Sequence, residues 1–345
     1  METAILTRPN AATRPGMNTP ALADLERATE EFTAILKSLE DRAASATDQG
    51  ERLVAEYRAA LAGLFTYCRA VDHEYRHDHE ALKSIRKEFR EKTNDLLAKS
   101  YLYNRARTWP QGHPGDYNII EHVYHNMALS SGLGGILDRY FLSTTLARAV
   151  RSRKDAMRNL IASALSARER ARILNIGCGS CRELVELAPE LNDTNAQITC
   201  LDFDPDALAF SGKRLGDLLT SAKAQFRKYN AVRMVNAQRN LKEFGRQDLI
   251  YTIGLLDYLT DDVLRRLLGA LYELLAPGGV LFAAFKDSDR YDTADYHWTV
   301  DWDAFYQRTA DESRKLISAA GIPDEAVSVS RDATGVIIFY SVTRR

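Results

Sequence analysis

Two short stretches hold residue types at spacings that could do chemistry. NIGCGSC, residues 175–181, places Cys178 and Cys181 as C-x-x-C, the spacing of a redox dithiol or of half a zinc site. The same stretch places Gly177 and Gly179 as G-x-G at the end of an apolar run, the form of a nucleotide-binding turn. HEYRH, residues 73–77, matches H-E-x-x-H, in which two histidines one helical turn apart hold zinc and Glu74 serves as base. The surroundings of HEYRH are charged throughout, whereas an active-site helix is apolar on its other faces, and no third ligand stands at the usual distance downstream. That stretch reads as a solvated helix face. The dithiol reading fares little better. The aromatic and proline neighbours of a thioredoxin-like pair are missing, and structural zinc needs two more ligands with Cys200 the only nearby thiol. Cys178 and Cys181 are expected to be small buried residues lining a tight turn, with no metal.

The nucleotide reading has a mechanism. An apolar strand at 172–176 ends in Gly177-Cys178-Gly179, where missing side chains let backbone N–H groups approach a ligand, and a helix begins near Cys181 with its positive end facing the same place. About twenty residues on, QITCLDFD ends a second strand in Asp202, a carboxylate able to accept both hydroxyls of a ribose. A nicotinamide dinucleotide is the weaker alternative, because the third glycine of its fingerprint is Cys181 here.

These residues need elements to position them. From Arg172 onward apolar runs alternate with helical stretches: ARILNIG, CRELVELAPEL, QITCLDFD, DPDALAFSGKRLGDLL, AQFRKYNAV, QDLIYTIG, TDDVLRRLLGALYELL and VLFAAFK. Thr260 is the expected N-cap of the helix at TDDVLRRLL. EAVSVSRDATGVIIFYSV reads as two strands around a turn. The pattern predicts a parallel sheet covered on both faces and closed by an antiparallel hairpin. Residues 1–19 read as a flexible tail, with little apolar periodicity. Residues 20–100 predict two or three amphipathic helices broken near 46–50, with Leu53, Tyr57, Leu61, Leu64 and Phe65 as an apolar stripe. YLYNRARTWPQGHPGDY, 101–117, reads as a loop rich in aromatic and charged groups and suited to ligand contact. Helices resume from Asn118 to about 167, with a break at SSGLGG. The domains expected are a tail at 1–19, a helical cap at 20–167 and a ligand-binding domain at 168–345.

Lys plus Arg total 46 against 47 for Asp plus Glu, a net charge of -1, which argues against a nucleic-acid protein. No run reaches the ~18 apolar residues of a membrane span, and the N-terminus has no apolar segment of a signal peptide. Four cysteines in 345 residues make no disulfide scaffold. The expectation is a cytoplasmic enzyme with a small-molecule substrate, no nucleic-acid or membrane partner, and scope for a homo-oligomer.

RILNIGCGS, ITCLDFDPDAL, YNAV, QDLIYTIGLLDYL and LLAPGGVLFAAF resemble, in order and spacing, the S-adenosylmethionine methyltransferases of the Rossmann-like type. The resemblance covers roughly residues 170–345. It implies an α/β, doubly wound fold with a mostly parallel seven-stranded sheet and an antiparallel C-terminal hairpin, preceded by an α-helical cap. It also implies S-adenosylmethionine as cofactor. Gly177 and Gly179 would meet its aminoacyl part, Asp202 its ribose and Asn230 its adenine amine. The loop from Gly254 to Tyr258, with Leu256 and Asp257, would face the sulfonium. Asn175 stands where the family usually has an acid, which changes how the α-ammonium is held.

NRARTWPQGHPGDY, which includes Asp116, and DWDAFYQRT at 301–309 resemble bacterial members of the group with a helical cap. These include carboxyl methyltransferases of hydroxy-fatty acids and azetidine-2-carboxylate synthases, which cyclise S-adenosylmethionine itself. The resemblance implies cyclisation as the first expectation, methyl transfer to a carboxyl or hydroxyl acceptor as the second, and a catalytically idle binding module as the third. Tyr117, Tyr124 and Tyr258 are the candidates for cation–π contact with the sulfonium, and Arg107 or Arg139 for a bidentate grip on the carboxylate.

Overall fold

The computed structural model describes residues 19–43, 50–166, 168 and 170–345. The expected tail and the expected break at 46–50 fall almost wholly outside them. The chain divides into two units, one made of the residues up to Ile119 with 126–143 and 293–303, the other of 120–125, 144–292 and 304–345.

The first unit is helical, with α1 (Pro20–Ala43), α2 (Gly50–Glu74), α3 (His79–Lys92), α4 (Asn94–Leu97) and α5 (Tyr101–Thr108). Helix α6 (Tyr117–His125) runs from this unit into the second, and α7 (Gly132–Ser143) returns to the first. The expected stripe on α2 is buried at every position, and α1 buries Phe32, Leu36 and Leu39 in the same core. Helix α2 stops at Glu74 and a turn follows before Asp78 caps α3, so His73 and His77 do not share one helix face. The segment at 101–117 is half helix rather than all loop. Ser100 accepts from the Tyr103 N–H at 3.1 Å and starts α5, and Trp109 ends it in a left-handed conformation ahead of Pro110.

The second unit carries α8 (Thr145–Leu165) and the sheet. Its strands are β1 (Arg172–Ile176), β2 (Gln197–Asp202), β3 (Lys223–Lys228), β4 (Gln247–Ile253), β5 (Leu275–Lys286), β6 (Val327–Arg331) and β7 (Ile337–Thr343). They lie in the order β3-β2-β1-β4-β5-β7-β6, with β1 to β5 parallel and β7 antiparallel to both β5 and β6. This is the α/β fold with a C-terminal hairpin that the alternating pattern predicts. Strand order reverses between β1 and β4, the place where open α/β sheets bind ligands beyond their carboxyl ends. Helix α8 clusters with the sheet rather than with the other helices, so the boundary expected at 167 falls earlier.

The remaining helices are α9 (Arg182–Glu186), α10 (Ala188–Asn192), α11 (Pro205–Leu218), α12 (Ala237–Phe244), α13 (Asp261–Leu274) and α14 (Ala310–Ala319). CRELVELAPEL is therefore two short helices, divided where Leu187 precedes α10 and Pro189 stands in its first turn. One and a half turns of α9 bring little macrodipole to the glycine turn, contrary to the sequence-based expectation. Helix α13 buries Leu264, Leu267, Leu268, Leu271 and Leu274 with Ile250, Leu281 and Phe285 of the sheet. Thr260 stands at the start of α13 but makes no side-chain cap there. Among the described residues no helix is long and apolar enough to cross a membrane.

Candidate functional site

The turn after β1 is built on left-handed backbone. Gly177 has φ +66°, and a Cβ there would come within 3.2 Å of Leu255, so both conformation and space demand glycine. Gly179 and Cys181 are also left-handed, at φ +50° and +49°. The Gly177 and Cys178 N–H groups donate to Leu201 O at 2.8 and 3.0 Å, which binds the turn to the end of β2.

Asp202 stands at that end. Its carboxylate accepts from the Gly179 N–H at 2.8 Å and the Asp204 N–H at 3.0 Å, so two backbone donors fix its position beside the glycine turn. Ser211 of α11 donates to Gly179 O, and Arg214 of α11 to Ser180 O. Glu121 of α6 accepts from both Arg182 and Arg214, which braces the turn from its outer side. After β3, Asn230 accepts from the Val232 N–H at 3.0 Å, and Phe203 is half exposed beside Asp202.

Beyond β4 the chain turns at Gly254, φ +96°, where a Cβ would lie 3.1 Å from an Arg153 guanidinium nitrogen. Arg153 is buried on α8, its Nε has no hydrogen-bond partner, and no carboxylate lies within 4.0 Å of it among the described residues. Tyr124 of α6 feels this charge: loss of water raises its hydroxyl to about 12, with Arg153 pulling the other way. At the end of β5, Lys286 Nζ lies 3.3 Å from Asp257 Oδ2 and 3.4 Å from the centre of the Phe305 ring, against which Tyr258 also packs. Burial holds the Lys286 ammonium below its ordinary range, and the Asp257 carboxylate opposes that shift.

A polar layer lies behind the glycine turn. Asn175 is fully buried. Its Nδ2 donates to Glu183 Oε1 at 3.3 Å, and its Oδ1 has no partner. Glu183 also accepts from the Tyr251 hydroxyl at 2.8 Å, and burial pushes its carboxyl up to about 8. The Sγ atoms of Cys178, Cys181 and Cys200 lie within 4.8 Å of one another, all buried and all free thiols. Cys200 therefore joins the pair that sequence spacing picks out, yet three thiols are one ligand short of a structural zinc site.

Residues 174–281 match the family model described as a methyltransferase domain. S-adenosylmethionine is the cofactor of this domain. Over 94% of this chain and 97% of the other, the fold is similar to that of a "possible exported protein" from Bordetella parapertussis, at 15% identity and TM-score 0.55. The CurJ carbon methyltransferase aligns over 94% of this chain and 91% of its own at 16% identity, with a TM-score of 0.47. Magnesium protoporphyrin IX methyltransferase from Synechocystis, solved with bound S-adenosylmethionine, aligns over 58% and 84% at 12% identity and TM-score 0.41. Among curated proteins nothing matches.

Within the methyltransferase domain the fold brings together Asn175, Gly177, Gly179, Asp202, Asn230, Asp257 and Tyr258 at the carboxyl ends of the strands, with Tyr124 alongside. Leu256 is a correction. Its side chain is fully buried in the core cluster, which leaves only its backbone for a ligand. Four other candidates lie in the helical unit. Asp116 is taken up by Arg105 at 2.9 Å and by the Asn118 and Ile119 N–H groups, and is a helix cap rather than a cofactor ligand. Arg107 spends its guanidinium on Thr299 O, Arg90 O, Asn94 Oδ1 and Thr93 Oγ1, so it has no fork left for a carboxylate. Arg139 is exposed on α7, against Gly50. Tyr117 is half-buried at the start of α6.

Sequence reasoning missed Arg153, Glu183 and Lys286. Arg153 had a legible signal: with Leu146, Ala149, Met157 and Ile161 it occupies the buried stripe of α8, a place where helices carry apolar residues.

Proposed function

We propose that this methyltransferase domain presents S-adenosylmethionine to attack by the donor's own α-amine, which yields azetidine-2-carboxylate and methylthioadenosine. One observation carries the reading. Behind the glycine turn stand an uncharged Asn175 and a Glu183 whose carboxyl is raised to about 8, so no ionised acid is set there to hold the α-ammonium in its charged form. In the reaction the amine nitrogen bonds to the γ-carbon, the C–S bond breaks, its electron pair passes to sulfur, and the amine proton leaves to water. Sulfonium becomes neutral thioether, and no acceptor is needed. Tyr124 and Tyr258 supply aromatic groups for cation–π contact before that charge is lost.

Methyl transfer is the second reading, favoured by Lys286. A buried ammonium at the end of β5, between Asp257 and the Phe305 ring, suits an acceptor that carries an oxyanion. Incubating the pure protein with S-adenosylmethionine alone separates the two. Cyclisation gives methylthioadenosine and a four-membered imino acid. S-adenosylhomocysteine formed only when a carboxylate or hydroxyl acceptor is present would replace it with methyl transfer.

A further inference from the structure

Arg153 is a buried cation with no carboxylate in ion-pair distance among the described residues. It is about nine-tenths buried, its Nε lacks a partner, and the neutral Tyr124 hydroxyl is a neighbour that feels its charge. A buried charge is costly unless it is paired, so an arginine in this state is suited to a partner that arrives later. Its surroundings select an anion. Lys286, which feels its charge, is already matched by Asp257, and Glu183, which also feels it, is raised to about 8. Its place in the fold narrows the choice. Helix α8 packs on β4 and α9, and the guanidinium rests on Gly254, whose lack of a side chain leaves it room. Gly254 follows β4 and Gly177 follows β1, on either side of the point where strand order reverses, and Leu255 touches Gly177.

We propose that Arg153 forms a carboxylate subsite of the methyltransferase domain and holds the α-carboxylate of S-adenosylmethionine, with Tyr124 orienting the guanidinium. The inference rests on S-adenosylmethionine being the ligand and is independent of whether cyclisation or methyl transfer follows. It replaces Arg107, whose guanidinium is taken up by Thr299, Arg90, Asn94 and Thr93.

Calorimetry with S-adenosylmethionine and with its decarboxylated analogue, on the wild type and on Arg153→Met and Arg153→Lys, tests it. The wild type should prefer the carboxylated ligand by about tenfold or more, the scale of a charge-assisted bidentate pair. Arg153→Met should lose that preference while its affinity for the decarboxylated analogue holds, and Arg153→Lys should regain part of it. Equal weakening of both ligands in Arg153→Met would mean a structural role, and a preserved preference would mean that the carboxylate lies elsewhere; either overturns the proposal. A preserved preference together with loss of affinity for an acceptor carboxylate would move Arg153 to the acceptor side and equally overturn it. If the wild type bound neither ligand, the failure would lie with S-adenosylmethionine as ligand, before Arg153 is in question.

Discussion

Both units bury arginines deeply, and two of these, one from each unit, are used in opposite ways. Arg107 in the helical unit is enclosed by acceptors: the Thr299 carbonyl at 2.7 Å, the Arg90 carbonyl, Asn94 and Thr93. Arg153 in the sheet unit has Tyr124 and an unpartnered Nε. The first is a cross-brace that ties α3, α4 and α5 to the segment at 293–303. The second is a charge held ready. The buried carboxylates differ in another way: Asp138 in the helical unit accepts from the Leu129 and Ser130 N–H groups, whereas Glu183 behind the glycine turn accepts from Asn175 and Tyr251 and keeps its proton until about pH 8. Buried polar groups that are complete stabilise a fold, and those left incomplete around strand ends mark where a ligand belongs.

The largest effect expected is on Arg107. Arg107→Met leaves two carbonyls and two side-chain oxygens without their donor, each worth on the order of 1–3 kcal/mol, and should lower the melting temperature by many degrees whether or not ligand is present. A melt unchanged from wild type would show that the brace contributes nothing. Next comes Asp202→Ala, which removes the acceptor for ribose hydroxyls and frees the Gly179 N–H. Affinity for S-adenosylmethionine should fall by about 1.5–3 kcal/mol for each bond lost, read by calorimetry, and unchanged affinity would remove the ribose assignment.

Glu183 gives a pH signature. Its folded carboxyl titrates near 8, above the unfolded value near 4.5, so between those two the unfolded chain releases a proton that the folded chain keeps. Stability should therefore fall as pH rises through that window, by up to about 1.4 kcal/mol per unit, and Glu183→Gln should flatten the slope. An unchanged slope in Glu183→Gln would place the titration in another group. The smallest effect is expected at the thiols. Cys178→Ser with Cys181→Ser should leave turnover within about tenfold, since packing changes of ~1 kcal/mol are at stake. Complete loss of turnover in a folded double variant that binds S-adenosylmethionine would return the thiol cluster to a metal or redox role.

The sheet was legible because each strand is a short apolar run set off from its helices, and because Gly177, Gly179 and Asp202 fall where strand ends meet. The helix at 101–108 was hidden by Pro110 and the glycines after it, and Ser100 as its cap was the residue to notice. Helix α12 was overlooked between two strands, its eight residues carrying few apolar side chains. The site was half legible. Backbone-built features show as glycines and acids at fixed spacing. Arg153 shows only as a charge on the apolar stripe of α8, a fainter mark amid the charged and polar run RSRK than a glycine or acid at fixed spacing. Arg107 misled because sequence shows a charge but not its acceptors.

The contrast between the two arginines is tested most directly by melting Arg107→Met and Arg153→Met with and without saturating S-adenosylmethionine. Ligand at about a hundred times its dissociation constant stabilises a fold by about 2.7 kcal/mol, a shift of several degrees. At the same ligand concentration, Arg153→Met should melt at or above the wild-type temperature without ligand and lose about half or more of the ligand-induced rise, while Arg107→Met should melt far lower and keep that rise in full. An Arg153→Met protein that melts well below wild type and retains the whole rise would contradict the account.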